Sequence, residues 1–315
     1  MRQVVAAAVT LALALPLAAA CVVERAVVRE PCVCETPVAP VCPSAPPPVA
    51  DKPPADTVTS IDGTVIELRR PAGAARGTIL VLPGWGFDRR MVCWRSSFCD
   101  DARAAGWNLV LAGMDKSVYA GEVYPQTRHD MAVQKTRTWV VGRLLPALQE
   151  RYGVLRPGED NFLYGMSTGG RGVALLALHA PEIFRGGAAL SGDFDMLLET
   201  KDPLLLLHYG SHRRFPERWS GEDNPALHAA RIRIPLYLAS GTADKIVPAE
   251  QSIQFHRRMR EAHPDMDLHL ELVDGAGHDF GFWGSQTGPI LEFFAKHARG
   301  ATPALMPAGT DDLVK

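Results

Sequence analysis

The sequence predicts an α/β fold: a mostly parallel sheet with helices on both faces. Three observations carry this reading. Short apolar runs alternate with longer segments whose apolar residues recur at helical spacing. The runs are apolar throughout, as in strands buried on both faces. Glycine and proline fall mostly between these segments. The bulk properties agree. The chain has 315 residues, 47% hydrophobic and 22% charged, with a formal net charge of −2. That is enough chain for a sizeable core and too apolar for wholesale disorder. The near-neutral balance offers no broad electrostatic footprint for nucleic acid. No apolar stretch beyond the N-terminus reaches the ~20 residues of a membrane span, which excludes a multi-span protein.

The first element is an address. Met1-Arg2 precedes an apolar run from Val4 to Ala20, which ends in Ala18-Ala19-Ala20 before Cys21. Small residues before a cut are the layout of a secretory signal, so residues 1–20 are expected to be removed. Leu17–Cys21 also resembles a lipobox, with Cys21 the candidate lipidation site. Its leucine stands one place further from the cysteine than usual. Plain secretion and a retained anchor are the alternatives. Membrane contact is expected only through such a lipid. Residues 21–56 read as a linker. Nine of the chain's 25 prolines lie between Pro31 and Pro54. They fix φ and remove donors, giving an extended, semi-rigid spacer. Cys32, Cys34 and Cys42 sit here without a nearby histidine to complete a usual zinc set. Residues 301–315 read as a tail.

Between them, residues 57–300 form the expected catalytic domain. Thr57–Ile61 and Thr64–Leu68 flank Asp62-Gly63 and read as a hairpin. Thr78–Leu82 and Asn108–Ala112 are buried strands. Cys93 and Cys99 lie between them, six apart. In an oxidising compartment they can form a local disulfide; the other reading is two buried thiols. Ala132–Tyr152 reads as one long helix stopped by Gly153. Phe162–Tyr164 is a strand, Gly170–His179 a helix stopped at Pro181, and Ala188–Leu190 a strand. Asp193–Arg233 then breaks the rhythm. This excursion after the strand at 188–190 should cross the carboxyl edge of the sheet. Pro235–Ala239 is a strand, Ala249–Ala262 a helix, Leu268–Val273 the last strand and Pro289–His297 the last helix.

The chemistry gathers at strand ends. Gly165-Met166-Ser167-Thr168-Gly169 is a G-x-S-x-G pattern between a strand and a helix. Glycines permit the sharp turn that lifts a serine hydroxyl clear of the sheet. Alone, such a pattern is also consistent with a tight turn and an incidental serine. A serine hydroxyl needs a base. His278, on the Gly-rich loop after the last strand, is the histidine with that setting. His179, His256 and His297 read as helix-surface residues, and His208, His212 and His228 as weaker alternatives. The base needs an acid to fix its tautomer. Asp244 follows the strand Pro235–Ala239 and meets that need, with Asp193 and Asp195 as rivals. The oxyanion donors expected for this arrangement are the N–H groups of Thr168 and Trp85, the latter in Pro83-Gly84-Trp85-Gly86 after an early strand.

These motifs resemble the α/β-hydrolase superfamily. Within it they resemble the esterase group that includes esterase D-like enzymes, feruloyl and acetylxylan esterases and polyhydroxyalkanoate depolymerases. Leu82–Gly86, Tyr164–Gly170, Ala189–Asp193, Ser240–Pro248 and Gly275–Asp279 carry the resemblance, over about Thr57 to Arg299. The order serine, acid, histidine is that of the superfamily. One departure stands out: many relatives have His-Gly where this chain has Pro83-Gly84. The resemblance implies ester hydrolysis through an acyl-enzyme on Ser167, with no metal or organic cofactor and a small-molecule or polymer-linked ester as substrate. A peptidase or amidase is the alternative within the fold. It is the weaker expectation, because the residues before Thr57 do not make a propeller-sized region to gate peptides. A surface lipoprotein that only binds is the alternative outside catalysis. Tyr119, Tyr124, Trp219, Phe280 and Trp283, together with Trp85, are candidates to line a pocket. Each also fits ordinary core packing. The expected location is extracytoplasmic, in a bacterial periplasm or envelope.

Overall fold

The computed structural model describes residues 56–131 and 135–299. The signal segment, Cys21, the proline-rich linker and the C-terminal tail lie outside the described residues.

Eight strands form one sheet: β1 (Thr57–Ile61), β2 (Thr64–Arg69), β3 (Gly77–Leu82), β4 (Trp107–Ala112), β5 (Asn161–Met166), β6 (Gly186–Leu190), β7 (Leu236–Gly241) and β8 (Leu268–Val273). Their order is β1-β2-β4-β3-β5-β6-β7-β8. The hairpin β1–β2 pairs antiparallel with the edge of β4, and all later pairings are parallel. Asp62, at φ 50°, and Gly63, at φ 84°, make the hairpin turn with the positive φ values that a tight two-residue turn requires.

The helices are α1 (Met91–Arg95), α2 (Phe98–Ala104), α3 (Thr136–Trp139), α4 (Leu145–Tyr152), α5 (Thr168–His179), α6 (Pro203–Tyr209), α7 (Pro216–Trp219), α8 (Glu250–Ala262), α9 (Phe280–Ser285) and α10 (Thr287–His297). Alternation along each strand divides the core in two. Leu80 and Leu82 of β3 face one cluster with α4, α5 and α8. Ile79 and Val81 face the other with α2, α9 and α10. Both faces of the central strands are therefore covered, which is why those strands read as unbroken apolar runs.

Two expectations change. The long helix expected from Ala132 is described from Thr136 and is interrupted by a π turn over Val140–Leu144. Pro146 has no N–H to give the carbonyl of Gly142, so the regular ladder cannot pass that point, and the backbone widens ahead of it. Gly153 ends the segment in the left-handed conformation, at φ 65°. The short helices α1, α2 and α9 lacked a long apolar period to announce them. Cys93 of α1 and Cys99 of α2 form a disulfide.

The excursion between β6 and β7 folds into a 3-10 turn (Met196–Glu199), α6, α7 and a second 3-10 segment (Pro225–Arg231). Met196, Leu205, Tyr209 and Trp219 pack there with Val118, Ala120 and Met131 in a third apolar cluster, against which Trp85 leans. Arg171 of α5, fully buried, ties this layer down. It donates to Asp193, Tyr209, the sulfur of Met196 and the carbonyl of Asp223. Asp223 in turn accepts from Gly121 N–H and from Arg137.

Candidate active site

The end of β5 turns into α5 at Ser167, which takes φ 56° and ψ −129°. Few residues adopt that conformation, and the fold must hold it there. The flanking glycines explain how. A Cβ at Gly165 would stand 2.2 Å from the carbonyl oxygen of Gly169, and one at Gly169 would stand 2.0 Å from that of Leu82. No side chain fits at either place. Ser167 N–H donates to Leu190 O at 2.8 Å, which pins the turn to the end of β6.

The loops after β7 and β8 are in backbone contact. Ala243 N–H donates to Ala276 O, and a Cβ at Gly241 would lie 2.2 Å from that same oxygen. This contact brings Asp244 and His278 together across 34 residues of sequence. His278 Nε2 lies 3.0 Å from Ser167 Oγ, and its Nδ1 lies 2.7 Å from Asp244 Oδ2. Asp244 Oδ1 accepts the N–H groups of Ile246 and Val247, both at 2.9 Å. Burial pushes the Asp244 carboxyl up. The hydrogen bonds from His278 and from the Val247 and Ile246 amides outweigh it, and the group is held below the ordinary aspartate value. The carboxylate therefore stays ionised beside the imidazole, fixing its tautomer and supporting its positive charge.

The loop after β3 approaches the same serine: a Cβ at Gly84 would lie 3.2 Å from Ser167 Cβ. Thr168 opens α5, so its N–H has no acceptor within the helix. On the facing loop, Gly86 N–H donates to Asp115 O and Phe87 N–H to Gly84 O. Trp85 N–H has no acceptor among the described residues. Tyr119 holds this loop from behind: its hydroxyl donates to Pro83 O at 2.8 Å.

The rival residues are engaged elsewhere. Asp193 pairs with Arg171. Asp195 caps the first 3-10 turn through Leu197 N–H and pairs with Arg258. His208 and His228 meet the carbonyls of Glu122 and Gly221, and His212 packs edge-on against Trp219. His179, His256 and His297 are half-buried rather than fully on the surface.

The aromatic pocket residues separate into two groups. Tyr119 and Trp219 are corrected to core positions. Tyr119 is buried against Gly172, and Trp219 is buried with its indole N–H on Gly210 O. Tyr124 stacks on that layer, with the Arg218 guanidinium over its ring. None of the three lines the cavity beside Ser167. Trp283 and Phe280 lie on the histidine side, Trp283 against His278 and Phe280 against Phe87 and Trp283. A cavity of about 40 Å³ adjoins Ser167 and Thr168, walled by the excursion (Asp193, Leu205) and by Val247-Pro248. Sequence reasoning missed Arg171. Its signal was a lone charge in an otherwise glycine- and aliphatic-rich helix. Among the described residues no group of three or more His, Cys, Asp or Glu is placed to hold a metal ion.

This arrangement defines a serine hydrolase of the α/β-hydrolase fold. The model of the prolyl oligopeptidase family (Peptidase S9) matches residues 158–300. No curated protein matches the sequence. Among solved structures, the chain is similar to FphF, a fluorophosphonate-binding serine hydrolase of Staphylococcus aureus. The identity is 18%, the TM-score 0.58, and the match covers 73% of this chain and 92% of that one. It is similar to an S-formylglutathione hydrolase from Agrobacterium tumefaciens at 16% identity and TM-score 0.58, covering 77% and 94%. It is also similar to an acylaminoacyl peptidase of Pyrococcus horikoshii at 13% identity and TM-score 0.60, covering 80% of this chain but 43% of that one.

Proposed function

We propose that this protein hydrolyses carboxylic esters through an acyl-enzyme on Ser167. The observation that carries the reading is the unbroken chain from Ser167 Oγ through the His278 imidazole to the Asp244 carboxylate. In the first half-reaction His278 takes the Ser167 proton as Oγ attacks the carbonyl. The Thr168 and Trp85 amides receive the developing oxyanion. His278, now an imidazolium beside Asp244, protonates the departing alcohol. Water then enters, gives its proton to His278, and releases the acid while Ser167 recovers its hydrogen. The similarity to the S-formylglutathione hydrolase, which covers 94% of that chain, supports an ester or thioester over an amide.

The prolyl oligopeptidase match over 158–300 favours a second reading, hydrolysis of a peptide or amide by the same residues. The experiment is hydrolysis of p-nitrophenyl esters, acetate through decanoate, beside p-nitroanilides of the same acyl groups. The protein from Thr57 onward and its Ser167→Ala variant are compared. A serine-dependent ester rate with a weak anilide rate supports the esterase. Serine-dependent cleavage that prefers anilides moves the reading to a peptidase.

The proposal places the enzyme outside the cytoplasm, held by a lipid on Cys21. The Cys93–Cys99 disulfide supports the compartment, because such bonds persist where the environment oxidises thiols. The small-residue run before Cys21 supports the anchor. Metabolic labelling with a radioactive fatty acid should mark the full chain and not its Cys21→Ser variant.

A further inference from the structure

The base hangs from a short helix. His278 is followed at once by Asp279, which caps α9 by accepting the N–H of Phe282 at 3.0 Å. α9 runs only from Phe280 to Ser285. A helix of that length forms too few hydrogen bonds to hold itself, so its place must come from its neighbours. Trp283 of α9 is buried and packs edge-on against His278. Whatever holds α9 therefore holds the base by two routes, through the backbone at Asp279 and through the Trp283 ring.

α1 and the turn after it supply that hold. A Cβ at Gly284, next to Trp283, would lie 3.2 Å from Ser96 Cβ. One turn earlier in α9, the Arg95 guanidinium lies 5.6 Å over the Phe280 ring, which packs against Trp283 at 4.9 Å. Yet α1 is weaker still. It spans Met91–Arg95 and has no side-chain cap at its start. Ser96 is tied to it, because its N–H and its Oγ both donate to Val92 O. The bond from Cys93 to Cys99 of α2 fastens this turn to the core. Cys99 is 1% exposed, and the neighbouring Phe98 is buried and stacked on Tyr164 of β5 at 3.9 Å.

We infer that the loop closed by Cys93 and Cys99 is a positioning device for the base, acting on His278 through Gly284 and Trp283 of α9. Phe98 of this loop rests on the strand that ends in Ser167. Ser96 of the same loop rests on the helix that follows His278. One covalent ring thus spans from nucleophile to base and keeps Ser167 Oγ and His278 Nε2 at their 3.0 Å spacing. The glycine at 284 follows from the same contact. Glycine weakens a helix, and it is kept here because Ser96 comes too close for a side chain. The inference needs His278 to be the base and holds whether the bond cleaved is an ester or an amide.

The test is a double-mutant cycle on the full chain between Gly284→Ala and the paired change Cys93→Ser with Cys99→Ala. Two rates are read well below the unfolding midpoint: kcat for p-nitrophenyl acetate, and the second-order rate of fluorophosphonate labelling of Ser167. Both are referred to the serine labelled at completion, so unfolded molecules do not count. With the loop closed, Ser96 cannot give way to the alanine methyl, and Gly284→Ala should lower both rates about fivefold with KM unchanged. Opening the loop alone should cost about as much, also about fivefold. The combined variant should fall about fivefold in all rather than about twenty-five-fold, because a freed Ser96 yields to the methyl. Gly284→Ala keeps the disulfide, so it decides the matter by itself if the cysteine variant does not fold. Rates within about twofold of wild type, with only a lower Tm, would make the loop purely structural and overturn the inference. Losses that multiply, or a rise in KM in place of the fall in kcat, would overturn it too. If wild type labels but turns over no ester, the ester reading falls, and the labelling rates still judge the loop.

Discussion

Trp283 packs edge-on against His278, with ring centroids 5.0 Å apart and planes at 82°, while its indole N–H donates to Ser191 Oγ at 3.2 Å. Ser191 follows β6 and His278 follows β8, so one buried side chain from α9 links two strand ends and fixes the plane of the base. Trp283→Phe keeps an aromatic face but loses the N–H. The expected result is a drop in kcat of about tenfold, or about 1.4 kcal/mol, with KM little changed. An equal rise in KM instead would assign Trp283 to substrate binding.

Asp244→Asn should preserve the fold and lower kcat by about 10⁴-fold, because an amide can no longer dictate which imidazole nitrogen carries the proton. His278→Ala should abolish stoichiometric labelling of Ser167 by a fluorophosphonate. Steady-state rates and the labelling yield check these two expectations.

Tyr119 acts through the loop that carries Trp85. Tyr119→Phe removes the bond to Pro83 O and leaves a buried carbonyl unpaired, at a cost of about 1–3 kcal/mol of stability. The loosened loop should also lower kcat several-fold. Denaturant unfolding and kinetics on one preparation separate the two effects. Unchanged stability would mean that the carbonyl finds another donor.

The acid side of the pH profile divides between two groups. Asp244 is held below the ordinary aspartate value, so it stays ionised throughout the neutral range. A rise of kcat/KM with pH across the neutral range therefore does not come from Asp244, and a rise that did track the Asp244 carboxyl would overturn this assignment. Stability behaves differently. Glu67 lies against Arg69, Arg89 and Arg90. Burial pushes it up, but the hydrogen bonds from Arg90 and Arg69 outweigh burial and hold it below the ordinary glutamate value. A group lowered on folding contributes stability that is complete above its unfolded value, near ~4.3, and is lost as pH falls through the folded value. Wild type should lose its margin over Glu67→Gln only below about pH 4.5, as read by thermal unfolding.

The disulfide closes a short loop in the layer that backs α9. Cys93→Ser with Cys99→Ala should cost about 2 kcal/mol by the chain-entropy account. For a domain of this size that corresponds to a fall of several degrees in Tm. Calorimetry under oxidising conditions checks it. No change would mean that α1 and α2 are held by packing alone.

All eight strands stand within a residue or two of their expected places, and the excursion after β6 is where the rhythm broke. Those features are local. A strand buried on both faces must be apolar along its whole length, and Gly165 and Gly169 are dictated by carbonyls about 2 Å from where a Cβ would sit. The helix around Pro146 was less legible, because its ladder fails through a missing N–H that apolar periodicity does not register.

From the residues alone, then, came the strand–turn–helix that carries Ser167 and the order of its partners, since each of those residues sits beside its own strand end and parallel strands deliver their ends to one edge. Tertiary structure alone decided which aromatic rings serve that edge. Tyr119 and Trp219 vanish into the core while Trp283 reaches His278, because burial depends on which distant elements pack together. The same holds for Arg171, whose partners lie 22 to 52 residues further along the chain.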